Sequence, residues 1–90
     1  MRNPVYHTQF RRDLKKAEQR GLDMQKLKEV MTLLLTEAPL PKRYRDHALK
    51  GAWKHYRDLH VEPDWLLLYK IAGDDCIFAR TGTHADIFSM

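Results

Sequence analysis

Residues 53–65, WKHYRDLHVEPDW, constrain the fold of this chain more than any other stretch. Side chains alternate through its first half, which predicts a strand with Trp53, His55, Arg57 and Leu59 on one face and Lys54, Tyr56, Asp58 and His60 on the other. Pro63 fixes its own φ and removes a ladder donor, so Val61-Glu62-Pro63-Asp64 must turn the chain. Trp65 to Tyr69 is a continuous apolar run of the kind found in a strand covered on both faces. The two read as a hairpin that sets His60 and Asp64 at one end. A Gly73-Asp74 turn then leads into a third strand, Cys76 to Thr81, on which Cys76, Phe78 and Arg80 share a side. If that strand pairs beside the hairpin, Arg80 and His84 reach the same end.

Upstream, Pro4 to His7 reads as a short first strand. Thr8 is placed to cap a helix running to about Arg20, with Phe10, Leu14 and Ala17 as its buried stripe and Gly21 as the left-handed residue that ends it. Asp23 caps a second helix, in which Met24, Leu27, Val30, Met31 and Leu34 recur at steps of three and four. So short a joint makes an antiparallel helical hairpin. Pro39 and Pro41 end it and open a basic loop, Leu40 to Lys50, in which Lys42, Arg43, Arg45 and Lys50 surround His47. Beyond Gly82, residues Thr83 to Phe88 have room for one turn of helix. This order gives an α+β fold, a small antiparallel sheet with an N-terminal helical hairpin packed on one face, as a single domain over 1–90.

Sixteen Lys and Arg against twelve Asp and Glu leave a net charge of +4, a sign that favours polyanionic partners. A basic helix face is by default a solvated one, so charge alone does not decide. Cys76 is the only cysteine, which excludes an intramolecular disulfide and fits a reducing compartment; its neighbours Ile77 and Phe78 make it a packing residue. No apolar h-region follows Arg2-Asn3-Pro4, and no apolar run approaches the ~20 residues of a membrane span. The expectation is a soluble cytoplasmic protein without membrane contact. The chain has no P-loop, no Gly-rich dinucleotide turn and no Ser-His-Asp pattern.

Taken singly, the candidate site residues have ordinary explanations. His47 in a basic loop is by default a solvent-exposed histidine, His55 reads as packing, and Asp64 after proline is a common turn residue. His60 ends a strand beside a turn, where side chains project into clefts. Arg80 ends an apolar alternation, where a guanidinium needs a partner or a ligand. His84 follows Thr-Gly-Thr, a flexible approach to a surface. As a set they converge on one edge of the sheet. Two histidines titrating near neutrality can serve as base and acid. Arginine stabilises charge developing on a phosphoryl oxygen, and RNA carries its own nucleophile in the 2′-OH. Zinc is the competing use of His47, His60, Asp64 and His84, a set it accepts chemically. No HxxxH or HExxH spacing is present, however, and Arg80 would repel a cation, so neither metal nor cofactor is expected.

DHALKGAWKHYRDLHVEPDWLLLYK, followed by RTGTHADIF, resembles the YafQ branch of the RelE superfamily of bacterial toxins. The likeness extends over nearly the whole chain, including LKEVMTLLL and the Pro-rich loop. It implies a RelE-like fold and a ribosome-dependent endoribonuclease, an mRNA interferase of a type II toxin–antitoxin pair. Such a toxin cuts messenger RNA in the ribosomal A site by 2′-OH attack and leaves a 2′,3′-cyclic phosphate.

The resemblance carries functional positions to His47, His60, Asp64, Arg80, His84 and Phe88. His84 would be the acid to the leaving 5′ oxygen, His47 or His60 the base, and Asp64 an orienting group. Arg80 would hold the scissile phosphate, Phe88 would stack on a base, and Lys50 and Arg45 would bind substrate. Implied partners are mRNA on the 70S ribosome, with rRNA against the basic helices and loop, and a cognate antitoxin through which the complex binds operator DNA. Ser89-Met90, beyond Phe88, is the one departure from the pattern. A related fold serves toxins of the ParE type, which inhibit DNA gyrase by binding; the histidine set and Arg80 favour the enzyme.

Overall fold

The alternation around His60 does produce a strand, but it begins four residues later than the periodicity implies. In the computed structural model, which describes residues 1–88, this strand, β3, covers Arg57–Glu62. Trp53 instead closes a 3₁₀ turn at Gly51–Trp53, and His55 is exposed in the bend that follows. The packing role expected for His55 is therefore not met. Pro63 and Asp64 make the turn, β4 runs over Trp65–Ala72 and β5 over Asp75–Gly82. The three form an antiparallel meander, with Leu59 opposite Leu67 and Lys70 opposite Ile77.

Two short strands widen this meander to five, in the order β1-β5-β4-β3-β2. β2, His47–Ala48, lies in the basic loop and pairs antiparallel with β3. β1, Asn3–Tyr6, runs parallel to β5, with Val5 opposite Ile77. The helical hairpin follows β1: α1 at Thr8–Gln19 and α2 at Met24–Leu35.

Cap chemistry sets both helix ends. Asp23 accepts the Gln25 amide at 3.1 Å. Gly21, at φ +77°, ends α1 in a Schellman turn, in which Leu22 N–H reaches Ala17 O and Gly21 N–H reaches Glu18 O. At the start of α1, His7 rather than Thr8 is the N-cap, without a side-chain bond.

The sheet is covered on both faces, which explains the unbroken burial of Trp65 to Tyr69. Phe10, Ala17, Leu27, Val30 and Leu34 of the helices pack on Leu59, Trp65, Leu67, Tyr69 and Phe78. On the other face Leu66, Leu68 and Ala79 are covered by Leu49, Trp53, Tyr56, Ile87 and Phe88. Cys76 belongs to the helix-side core, and burial pushes its thiol up to about 11, as suits a packing residue.

One irregularity re-aims a functional residue. Tyr69 pairs with Phe78 but Leu68 pairs with Arg80, so Ala79 is an extra residue on β5. Arg80 consequently leaves the side of Cys76 and Phe78, contrary to simple alternation, and shares a cross-strand row with Leu68. The chain then enters a short helix, α3, at His84–Phe88. Ser89 and Met90 lie outside the described residues.

Candidate active site

Strand register brings the histidines together on the sheet face away from the helices. His47 on β2 lies opposite Asp58 on β3, Asp58 opposite Leu68, and Leu68 opposite Arg80. In the next row His60 lies opposite Leu66, and Leu66 opposite Gly82. The result is a line of three imidazoles: the His60 ring centroid is 6.1 Å from that of His47 and 5.8 Å from that of His84.

Each end of this line is fixed by an oxygen. His84 Nδ1 lies 2.6 Å from Asp64 Oδ1, which also accepts the His84 backbone N–H at 2.9 Å. That bonding holds the Asp64 carboxyl below its ordinary value. At the other end His47 Nδ1 lies 2.8 Å from the Arg45 carbonyl oxygen. A carbonyl only accepts, so Nδ1 carries the proton, and Nε2 faces Asp58 Oδ2 at 3.6 Å.

Asp58 is a functional candidate that sequence reasoning passed over, although alternation had set it on the face of His60. It is 4 % exposed, and among the described residues neither its Oδ1 nor the buried Nδ1 of His60 has a hydrogen-bond partner. Burial raises its carboxyl pKa, against the opposing pull of His60, His47 and His84; Asp46 adds to the rise.

Three further carboxylates support the frame. Asp46 accepts from Arg57 Nη2 at 2.9 Å and from the Tyr69 hydroxyl at 2.5 Å, which anchors the loop one residue before His47. Asp86 and Thr83 form a capping box: Asp86 N–H donates to Thr83 Oγ1 at 3.0 Å and Thr83 N–H to Asp86 Oδ2 at 2.9 Å. Arg20 closes on Asp86 with both Nη atoms, at 2.6 and 3.1 Å, and so ties α3 to the end of α1. The sequence signal for this box, Thr83-x-x-Asp86, was present. The third, Asp13, sits in the apolar stripe of α1, where a lone acid signals a buried cation partner. That partner is Arg80, whose Nε donates to Asp13 Oδ2 at 2.7 Å and Nη2 to Oδ1 at 3.2 Å.

The structure therefore brings His47, His60, His84 and Asp64 together. Arg80 is on the same face in the row of His47, but its fork is engaged by α1. Phe88 is half-buried against Leu66, Leu68 and Ala79 rather than openly exposed. Lys50 is exposed ahead of the 3₁₀ turn. Arg45, at φ +51°, lines with Lys26, Arg43, His60 and Glu62 a cleft of about 500 Å³. Among the described residues no group of three or more His, Cys, Asp or Glu is arranged to hold a metal ion, and no helix is long and apolar enough to cross a membrane.

The family profile described as "Bacterial toxin of type II toxin-antitoxin system, YafQ" matches residues 2–89. The mRNA interferase toxin YafQ of Escherichia coli K12 is 52 % identical over 88 residues, 97 % of this chain and 96 % of that protein. The crystal structure of the E. coli DinJ-YafQ complex contains a chain that superposes with a TM-score of 0.91 at 52 % identity, covering 98 % of this chain and 99 % of that one. A metal-bound toxin from Helicobacter pylori superposes equally, with a TM-score of 0.91 at 37 % identity, covering 98 % of this chain and all of that one.

Proposed function

Because the chain belongs to the YafQ family of bacterial type II toxin–antitoxin toxins, we propose that it is an mRNA interferase, one toxin domain that cuts messenger RNA in the A site of the 70S ribosome. The observation that carries this reading is the line of three imidazoles with a carboxylate at its His84 end.

Cleavage of RNA needs a base for the 2′ proton, an acid for the 5′ oxygen and a cation for the phosphate between them. His47 or His60 takes the 2′ proton. O2′ attacks phosphorus, the P–O5′ bond breaks, and His84 gives its proton to O5′. The products are a 2′,3′-cyclic phosphate and a 5′-hydroxyl. Asp64 holds the Nδ1 proton of His84, so Nε2 is the nitrogen that works on substrate. Arg80 holds the scissile phosphate. Phe88, half-buried, stacks on a base; Arg45 meets the RNA backbone in the cleft beside His60, and Lys50 meets it from the exposed surface. The scheme moves each proton with a side chain and uses neither metal nor cofactor.

The basic faces of α1 and α2 and the 40–50 loop serve as rRNA contacts. The protein partner is a cognate antitoxin, whose acidic segment covers the toxin and whose other half places the complex on operator DNA in the cytoplasm. Primer extension on a reporter message after induction tests the enzyme directly. Cuts confined to translated frames are expected; arrest of DNA replication without mRNA cleavage would overturn the reading. Co-expression with the adjacent reading frame should give a co-purifying complex and restore growth.

A further inference from the structure

A carboxylate in the apolar stripe of a helix needs strong compensation. Asp13 is 6 % exposed, and each of the roughly four lone-pair positions of its carboxylate is used. Oδ1 accepts from Gln9 Nε2 at 3.0 Å and from Arg80 Nη2 at 3.2 Å. Oδ2 accepts from Arg80 Nε at 2.7 Å and from the Thr81 backbone N–H at 3.1 Å. Four donors from three residues on α1 and β5 thus fix the carboxylate, which in turn fixes the guanidinium.

The edge that Asp13 occupies matters. It takes the Nε/Nη2 side of the guanidinium and leaves the Nη1/Nη2 end. At that end Nη2 is 3.5 Å from the Asp86 carbonyl, and among the described residues nothing accepts from Nη1. A guanidinium can present two bidentate faces, and one locked in place loses less freedom when the other grips an anion. The extra residue at Ala79 brings Arg80 out on the imidazole face, and Asp13 holds it from α1 around the edge of β5.

We infer that Asp13 is a positioning residue: it clamps one edge of Arg80 so that the other is presented to the scissile phosphate. The inference rests on the phosphate-binding role proposed above for Arg80. The alternative is that Asp13 only fastens α1 to β5. The two differ in one respect: positioning lowers the rate of toxin that is still folded, whereas fastening, which also runs through Arg80 and Thr81, costs rate only by lowering the folded fraction.

The test is a double-mutant cycle on single-turnover mRNA cleavage by purified toxin on programmed ribosomes. Asp13→Asn should lower the cleavage rate about 10- to 100-fold, the scale of a misplaced catalytic contact, with ribosome affinity and the folded fraction by circular dichroism unchanged; a rate loss that only tracks lost folded protein overturns the inference. In an Arg80→Ala background it should change the remaining rate less than twofold. Asp13→Glu, which keeps the charge but moves it by one methylene, takes the place of the Asn variant if that does not fold, and should show the same dependence on Arg80. Equal losses in both backgrounds, or wild-type cleavage by Asp13→Asn while Arg80→Ala is inactive, overturns the inference alone. Wild-type cleavage by Arg80→Ala removes the phosphate role and the inference with it.

Discussion

Asp64 Oδ1 receives both the imidazole Nδ1 and the backbone N–H of His84, at 2.6 and 2.9 Å, so one oxygen fixes both the ring and the start of the helix that carries it. His84→Ala should abolish growth arrest without unfolding the protein, a rate loss of about 10²- to 10⁴-fold for a general acid. Asp64→Asn should cost less than His84→Ala, because the ring remains while its orientation relaxes. Wild-type toxicity of His84→Ala at equal expression would remove the assignment.

Asp58 sets activity against stability. Its carboxyl pKa is raised in the fold, chiefly by burial, so its stabilising contribution is present at low pH and declines as pH rises from the ordinary carboxylate value through the raised one. Asp58→Asn should therefore melt a few degrees higher at pH 7, given that ~1 kcal/mol moves Tm by about 4–8 °C at this size. The same change removes a negative charge 3.6 Å from His47 Nε2. Single-turnover cleavage should fall in this variant, and an unchanged rate would show that Asp58 is uncoupled from the base.

Asp86 has the opposite sign. Bonding to Arg20 and then to Thr83 holds its carboxyl far below the usual range. The stability it contributes is complete above the unfolded carboxylate value of about 3.9 and is lost only as pH falls through the depressed one. Arg20→Ala should therefore lower Tm most at pH 5–7, where that stability is complete, and by progressively less as pH falls through the depressed value, read by circular dichroism.

Gly82 lies at φ +155°, and a Cβ built there would fall 2.9 Å from Asp86 Oδ2. Gly82→Ala should destabilise by more than the ~0.4–1 kcal/mol that such a change contributes at a compatible site. It should also reduce cleavage, because the clash lies in the turn that leads to His84. Unchanged Tm and rate would show that α3 shifts without cost.

Zinc stripped from the toxin before it meets the ribosome should leave single-turnover cleavage unaffected. Chelation has to be confined to the toxin, since the ribosome needs magnesium. Activity lost on stripping and restored by added zinc would replace the acid–base scheme with a metal-activated water.

Local chemistry made much of this legible from sequence. Pro63 and Gly73-Asp74 marked both hairpin turns, and three-and-four spacing from Met24 to Leu34 marked α2. Other features depend on partners distant in the chain. Nothing in Asn3–Tyr6 says that it pairs parallel with Asp75–Phe78, since period-two patterning carries no address. The extra residue at Ala79 is equally silent, and it overturned the side assigned to Arg80. Asp13 shows the limit from the other direction. An acid within an apolar stripe announces that a partner exists, but only the packed structure identifies it as Arg80.

The pairing of β1 with β5 also orders events in time. Residues 3–6 and Asp13 are made early, yet their ladder and their ion pair require residues 75–82, some sixty residues later in the chain. Such long-range closure is slow to nucleate and cannot be anticipated by a partial chain. While its own message is still being decoded, the growing polypeptide lacks both the strand that completes the sheet and the helix that bears His84. Activity therefore waits until residues 75–84 have been made, which spares the template while the codons before them are being read.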